Sequence, residues 1–443
     1  MAEQKDISKP TVNKNYRIHP TRLVRAERET HVVNALLDYN RGIIESDPIG
    51  ATAKFDKLKL SPFVFLRGTA DLMYRDLVGT DANMATVLLM GDVHLENFGV
   101  METEDRSLMW GLNDFDEAAF GPFTWDVKRA ATSIALATAG LGFKNKDRLK
   151  LTGSFADAYL EAIDEAAESA AESMPRFKKN RGTSLIRDLI EKAEKIDEQA
   201  WLAEYVDGND RFRLTDEIKP LSDRVDDFQE AIDAYLPSLS ENTPNPPGRI
   251  QVLDVATKTG SGTGSIGLWR FYVLCNAQYD TDSEKIIIEI KHERPSVLAP
   301  YVGEGPLRFH SEGSRVAFAQ EIHLPDANPY YGHTMLDDVS YLARRRSPFK
   351  ARIKLENISK FKKARDYVNA CAAALAFAHA RSDLVLVKGE QFTEARIRES
   401  INARTFRYEI THFAKQMARQ VRKDWKVFLN AHEAGKFTFH DGD

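Results

Sequence analysis

Cysteine is almost missing from this chain: Cys275 and Cys371 are the two in 443 residues. Their scarcity excludes a disulfide framework and a Cys-rich zinc site and fits a reducing compartment, where both thiols read as small buried hydrophobes. Long apolar runs are missing too. None is long enough to span a bilayer, and the opening Met-Ala-Glu-Gln-Lys-Asp lacks the apolar centre of a secretory signal. The expectation is a cytoplasmic protein without a membrane partner. There is no excess of positive charge either. The formal net charge of -5 argues against nucleic acid as a partner. What remains is the balance of a globular protein, 43% hydrophobic and 29% charged, with length enough for two or three compact units and no internal repeat.

Charge is nevertheless uneven. Basic residues dominate from Arg344 to Arg365, interrupted by Glu356. A solvated face is the plain explanation of such a stripe, and an anionic substrate the sharper one.

Residues 1–20 are polar without a clear period and read as a loose arm. Apolar spacing predicts helices over Arg25 to Tyr39 and from Ser61 through Leu77. Met84 to Met90 reads as a buried strand that stops at Gly91, and Leu108 to Leu112 as a second strand that stops at Asn113-Asp114. From Trp125 to about Leu236 the pattern is mostly helical, with helices from Phe155 to Met174 and from Ser184 to Tyr205. The breaker cluster Asn242-Thr-Pro-Asn-Pro-Pro-Gly248 then marks a boundary. Beyond it, Ile250 to Ala256, Leu268 to Cys275 and Lys285 to Lys291 alternate as three antiparallel strands do. From Arg365 the period is helical again, with Val368, Cys371, Leu375 and His379 on one face. The division is therefore an arm at 1–20, a helical lobe at 21–245, an antiparallel-sheet lobe at 249–340 and a helical completion of the large lobe at 341–443.

The densest chemistry lies in Gly91-Asp-Val-His-Leu-Glu-Asn-Phe-Gly99 and in Leu112-Asn-Asp-Phe-Asp-Glu-Ala118. Phosphoryl transfer asks a protein for a group that orients the attacking hydroxyl and for hard oxygen ligands that hold Mg²⁺ on the phosphates. Asp92, Asn97 and Asp114 supply such groups. Asn97 follows Asp92 by five residues, and Asp114 follows Asn97 by seventeen, a span that a short hairpin covers. The second signal is Gly262-Thr-Gly-Ser-Ile-Gly267 between two strands, with Lys291 ending a third. A dinucleotide fingerprint would have to open a helix, whereas Ile266 to Cys275 reads as a strand.

These segments resemble the aminoglycoside and choline phosphotransferases of the protein-kinase-like superfamily. Gly91-Asp-x-His-x-x-Asn97 is similar to their catalytic loop, and Asp114-Phe-x-x-Ala118 to their metal-binding segment. The likeness continues through Gly121-Pro122 to Trp125-Asp126-Val127, and departs at Met90, where those families have His. The resemblance implies an ATP-dependent phosphotransferase with Asp92 as base, Asn97 and Asp114 as Mg²⁺ ligands, and His94 and Asp126 as supports of the loop, with Asp116 beside them. It also implies that Gly262, Gly264, Ser265 and Gly267 cover the phosphates of ATP while Lys291 pairs with them. Glu289 stands where that group has a small residue facing the base, and Glu293, Glu312 and Glu321 are candidate partners of Lys291, expected from the following helix. Arg67 reaches either a phosphate or an acidic neighbour.

In protein kinases the glycine loop precedes the catalytic loop; here Gly262 follows Asp92 by 170 residues. The implied fold is α+β, protein-kinase-like and two-lobed, and circularly permuted, with the helix of Leu375 to His379 feeding the early catalytic loop. The whole chain also resembles an uncharacterised bacterial family defined only as a domain of unknown function. A metallophosphoesterase would need further His-rich segments, which are missing, since Gly332-His333 leads into Thr334-Met335. A nucleotide-binding regulator without turnover and a nucleotidyl transferase acting on protein remain compatible with the same residues. The acceptor, an anionic small molecule or another hydroxyl or amine compound, is not written in the sequence.

Overall fold

The structure is a computed structural model that describes residues 23–103, 105–169, 177–179, 182–239, 243, 246–259, 268–280, 282–303, 305–324, 330–386 and 392–440. It is a mixed α+β fold with small antiparallel sheets and a large helical part. The glycine segment Gly262, Gly264, Ser265 and Gly267 and the arm at 1–20 lie outside the described residues.

The helical part holds one apolar core. It draws on both ends of the chain: Phe55 packs its ring 4.6 Å from that of Phe437 and 6.3 Å from that of Phe428. The Ala-rich helix Phe361–Ala380 lies along Asn145–Ala167, where small side chains let two backbones approach. The long helix Ala403–Glu433 crosses Phe123–Gly140. Local signals explain where helices begin: Ser61 accepts from the Val64 N–H at 3.1 Å with Pro62 in the first turn, and Asp197 accepts from the Gln199 and Ala200 N–H groups. That second cap divides the stretch expected as one helix from Ser184 to Tyr205 into Ser184–Ala193 and Glu198–Tyr205.

Two short sheets are set into this helical part. Thr86–Leu89 pairs with Ala119–Pro122, and Phe98–Glu102 pairs with Leu108–Leu112 so that Phe98 faces Leu112. The larger sheet has six antiparallel strands in the order Tyr331–Leu336, Val339–Arg345, Ser283–His292, Arg270–Gln278, Arg249–Lys258 and Ile218–Pro220. Helix Val225–Tyr235 buries Phe228, Ile232 and Tyr235 on one face of it. Val206, Phe212 and Ile218 cover part of the other face with Tyr272 and Ile287. The sheet unit therefore gathers residues on both sides of the expected 249–340 span: its partners begin near Val206, and its strand at Val339–Arg345 runs past 340. Amphipathic helix period alone does not say which core a helix joins, which is why Val225–Tyr235 read as part of the helical lobe. Among the described residues no helix is long and apolar enough to cross a membrane.

Candidate functional site

The segment Met90 to Asn97 leaves a buried strand and turns sharply. Gly91 adopts φ +87°, and a Cβ there would lie 2.1 Å from the Glu117 carbonyl oxygen, so no other residue fits without moving the loop. The turn is held by Asp126, whose fully buried carboxylate accepts from the Met90 N–H at 2.7 Å and the Gly91 N–H at 3.1 Å. His379, from the end of helix Phe361–Ala380, lies 3.1 Å from the same carboxylate through Nε2. A carboxylate only accepts, so Nε2 donates to it, and Nδ1 lies 2.7 Å from the Tyr159 hydroxyl oxygen. Ser382, just beyond that helix, accepts from the Leu88 N–H at 2.9 Å. The late helix thus abuts the strand that opens the loop. Gly91→Ala is expected to lower stability by about 2–3 kcal/mol, since a strained φ and a backbone clash combine, and to abolish any ligand-induced rise in melting temperature; thermal melts with and without ligand check both.

Within the loop, the Asn97 side-chain N–H donates to the Asp92 carbonyl at 2.8 Å, which leaves the amide oxygen as its ligand atom. Asp92 is gripped by Arg129. The buried guanidinium donates from Nε to Oδ1 at 2.8 Å, approaches the same oxygen more closely through Nη2, and donates to the Leu66 carbonyl at 3.0 Å. The other Asp92 oxygen lies 3.9 Å from His94 Nε2, beyond hydrogen-bond distance. Burial, with Arg67 and Arg129 nearby, holds His94 well below the usual histidine range, so the ring is neutral. Arg67 donates from Nε to His94 Nε2 at 3.3 Å and forms an ion pair with Glu96.

The second acidic segment follows strand Leu108–Leu112, and the Asn113 N–H donates to the Asn97 carbonyl at 3.2 Å, tying the two segments together. Asp114 and Asp116 face each other. The enclosing cleft and the Asp116 charge push Asp114 up to about 7, whereas Asp116 falls below the usual carboxylate range because Lys291 sits against it and outweighs the cost of enclosure. Of the two carboxyls Asp114 is therefore the one that holds a proton, and a cation can take its place. Lys291, on strand Ser283–His292, forms an ion pair with Asp116 and a second with Glu293 at 3.2 Å. Glu293 is driven up to about 8 by burial and by Asp116. The acidic partners of Lys291 thus come from the second acidic segment and the end of its own strand, and not from the following helix, where Glu312 pairs with Arg315 at 2.6 Å.

A cavity of about 470 Å³ joins these groups. Asp92, His94, Asn97, Asp114 and Asp116 line one side and Lys291 another, with Arg67 at the rim of the first segment. Leu268, the first described residue after the glycine segment, also lines it. Its size is that of an ordinary small-ligand site. Glu289 is not on an open adenine-facing surface: it is buried and bound by Arg270 at 3.0 Å and by Arg344 at 2.6 Å. The basic stripe does not form one face. Arg345 pairs with Glu198 and Glu284 at 2.8 Å, Arg346 lies 4.7 Å over the Tyr272 ring, and Lys350 and Arg352 enter the cavity.

Arg129 was missing from the sequence reading. It follows Asp126 by three residues, so both project from one side of helix Phe123–Gly140 toward the loop, and that spacing is a signal that was available. His379 was placed on the helix that feeds the loop, but its contact with Asp126, 253 residues away, had no sequence signal.

Among the described residues no group of three or more His, Cys, Asp or Glu side chains is arranged as a metal site. The residues nevertheless suit Mg²⁺, which shares its shell with phosphate and water and takes one or two carboxylates from the protein. Asp114 with its displaceable proton and the amide oxygen of Asn97 are such a set.

Helical core, antiparallel sheet and a cleft of facing carboxylates and cations define a mixed α+β protein with a charged ligand-sized site. The chain belongs to the family described as "Uncharacterized protein conserved in bacteria (DUF2252)", whose model matches residues 47–431. No curated protein and no solved structure compared with the chain matches it.

Proposed function

We propose that this chain is a Mg²⁺- and ATP-dependent transferase of the protein-kinase-like type that reacts at a phosphorus atom of its nucleotide. The observation that carries the reading is the meeting of Asp92, Asn97 and Asp114 with Lys291 around one cavity, although they come from segments about two hundred residues apart. Lys291 and the glycine segment would hold phosphates, Asn97 and Asp114 would hold Mg²⁺, and the metal when bound would neutralise charge on the phosphates. Asp92 would receive the proton of an acceptor hydroxyl or amine. Arg129 fixes its Oδ1, so Asp92 acts from a set position and needs no search for it.

In the ordinary orientation the γ-phosphoryl group passes to the acceptor. A second reading, nucleotidyl transfer, needs only that the nucleotide lie the other way round. Both readings share one test. Asp92→Asn is expected to bind Mg-ATP with affinity near that of the wild type while turnover falls by roughly 10³-fold. Titration calorimetry and nucleotide consumption check this; normal turnover in the variant would remove Asp92 from the base role.

A further inference from the structure

A cation taken out of water needs an acceptor in its place. Among the described residues the buried Arg28, Arg129, Lys291, Arg315, Arg345 and Arg381 each donate to a carboxylate or a backbone carbonyl. Lys54 is the exception. It is 1% exposed on helix Pro48–Leu58, yet its ammonium has no ion pair and no hydrogen bond among the described residues. Burial and the Arg294 charge press it down to about 7. Lys350 and Arg352, by contrast, reach the cavity from exposed positions, where water serves as the partner.

An aromatic ring links Lys54 to the cavity. Its Nζ lies 5.7 Å from the centre of the Tyr39 ring, and the Arg294 guanidinium carbon lies 5.7 Å from the same centre. Arg294 lines the cavity together with Asp92. Its backbone is fixed there, since Arg315 donates to its carbonyl and to that of Ala118, each at 2.9 Å, and Ser296 donates to the Glu117 carbonyl at 2.8 Å. Its guanidinium has neither ion pair nor hydrogen bond among the described residues. The Tyr39 hydroxyl has no hydrogen bond among them either, and Asp92 is one of the charges acting on it. The carboxylates of this corner are engaged elsewhere. Glu117, whose charge reaches Lys54 and Tyr39, accepts the Val297 N–H at 2.5 Å, and enclosure beside Asp116 and Asp92 raises it above the usual carboxylate range. Asp71 is held by Arg75 at 2.6 Å and by the Tyr301 hydroxyl at 2.5 Å. The acceptor that two unpaired cations and a phenol call for therefore comes from outside the chain. An oxyanion suits them, the guanidinium giving paired donors and the ammonium a point charge.

We propose that Arg294, Lys54 and Tyr39 form the subsite that holds an anionic group of the acceptor, a carboxylate or a phosphate, and so present the acceptor's hydroxyl or amine to Asp92. This rests on the transferase reading above and names the acceptor class within it. Arg294 meets the anionic group from the cavity wall, and Lys54 supplies the second positive charge beside the Tyr39 ring.

The test is titration calorimetry on the full chain, free and saturated with Mg²⁺ and a non-hydrolysable ATP analogue, with glycerol, glycerol 3-phosphate and glycerate as probes. At least one anion is expected to bind both forms and glycerol neither, and the tighter anion tells a phosphate subsite from a carboxylate one. Arg294→Gln and Lys54→Met are each expected to weaken that anion by roughly tenfold, with Arg294→Lys recovering part of the loss, and to leave the ATP analogue bound as in wild type. Lys54→Met exchanges an unpaired buried charge for an apolar chain of similar length, so its melting temperature should not fall. A fall in melting temperature with unaltered anion affinity would make Lys54 a structural residue and overturn the inference. Failure of both anions to bind, or anion binding that the ATP analogue displaces, would overturn it too and leave the transferase reading standing. Anion binding that depends on Lys54 and Arg294 in a chain that binds no nucleotide would end the transferase reading and leave the subsite as an anion site.

Discussion

On the proposed reading, Asp114→Ala is expected to abolish the stabilisation that Mg-ATP would give the wild-type chain and to lower turnover by roughly a thousandfold, the scale expected when a group placed at developing phosphate charge is removed. In the wild type, ligand at a hundred times its Kd contributes about 2.7 kcal/mol, which for a chain of this length raises the melting temperature by about 3 °C. The effect is pH-dependent, and its sign follows from Asp114. Enclosure and Asp116 raise this carboxyl to about 7, so the metal-free folded state keeps a proton that the unfolded chain loses at lower pH. That stability is complete below about pH 4, the ordinary carboxylate value, and is lost as pH rises through 7. On the proposed reading Mg²⁺ would bind the ionised form. The ligand-induced rise should therefore grow between about pH 6 and about pH 8 in wild type, because deprotonation and metal binding are linked. Scanning calorimetry with and without Mg-ATP checks this, and a shift retained in Asp114→Ala would take Asp114 out of the site.

Asp126→Ala should cost about 3–5 kcal/mol of folding stability, because it strips the acceptor from two buried backbone N–H groups and from His379 at once. The apolar core around it is intact in the variant, so the loss is that of unsatisfied polar groups and not of packing. Asp126→Asn keeps one acceptor oxygen and the shape of the side chain and should lose less. Pairing each change with His379→Gln tests the connection: strong non-additivity is expected, since both residues belong to one chain of hydrogen bonds ending at Tyr159. Additive losses in urea unfolding would mean that the contact between Asp126 and His379 carries little of the stability.

How much of this was readable depended on range. The strands expected from Ile250, Leu268 and Lys285 are observed as Arg249–Lys258, Arg270–Gln278 and Ser283–His292, because alternation under a buried face is a strong local pattern. Strand Ala119–Pro122 escaped because it ends in Gly121 and Pro122, which read as breakers but are tolerated in a four-residue strand with one partner. Helix Asn145–Ala167 starts ten residues before Phe155 because its first turns, Asn145 to Lys150, show no apolar period. Within the candidate site, Asp92, Asn97 and Asp114 were singled out by mutual spacing and Lys291 was set opposite them through the resemblance, whereas its pairing with Asp116 was not expected. Asp116 pairs with a residue 175 positions away, and no sequence period reports a contact at that range.

His379 reaches back to a loop that emerges from the ribosome long before it. At about 5–20 residues per second, Asp126 waits roughly 13 to 50 seconds for that imidazole to be synthesised. Nascent chains arrested short of residue 379 should therefore carry the acidic loop without its clasp. Binding competence would then arrive late in translation, as a single event that follows the release of the final helices.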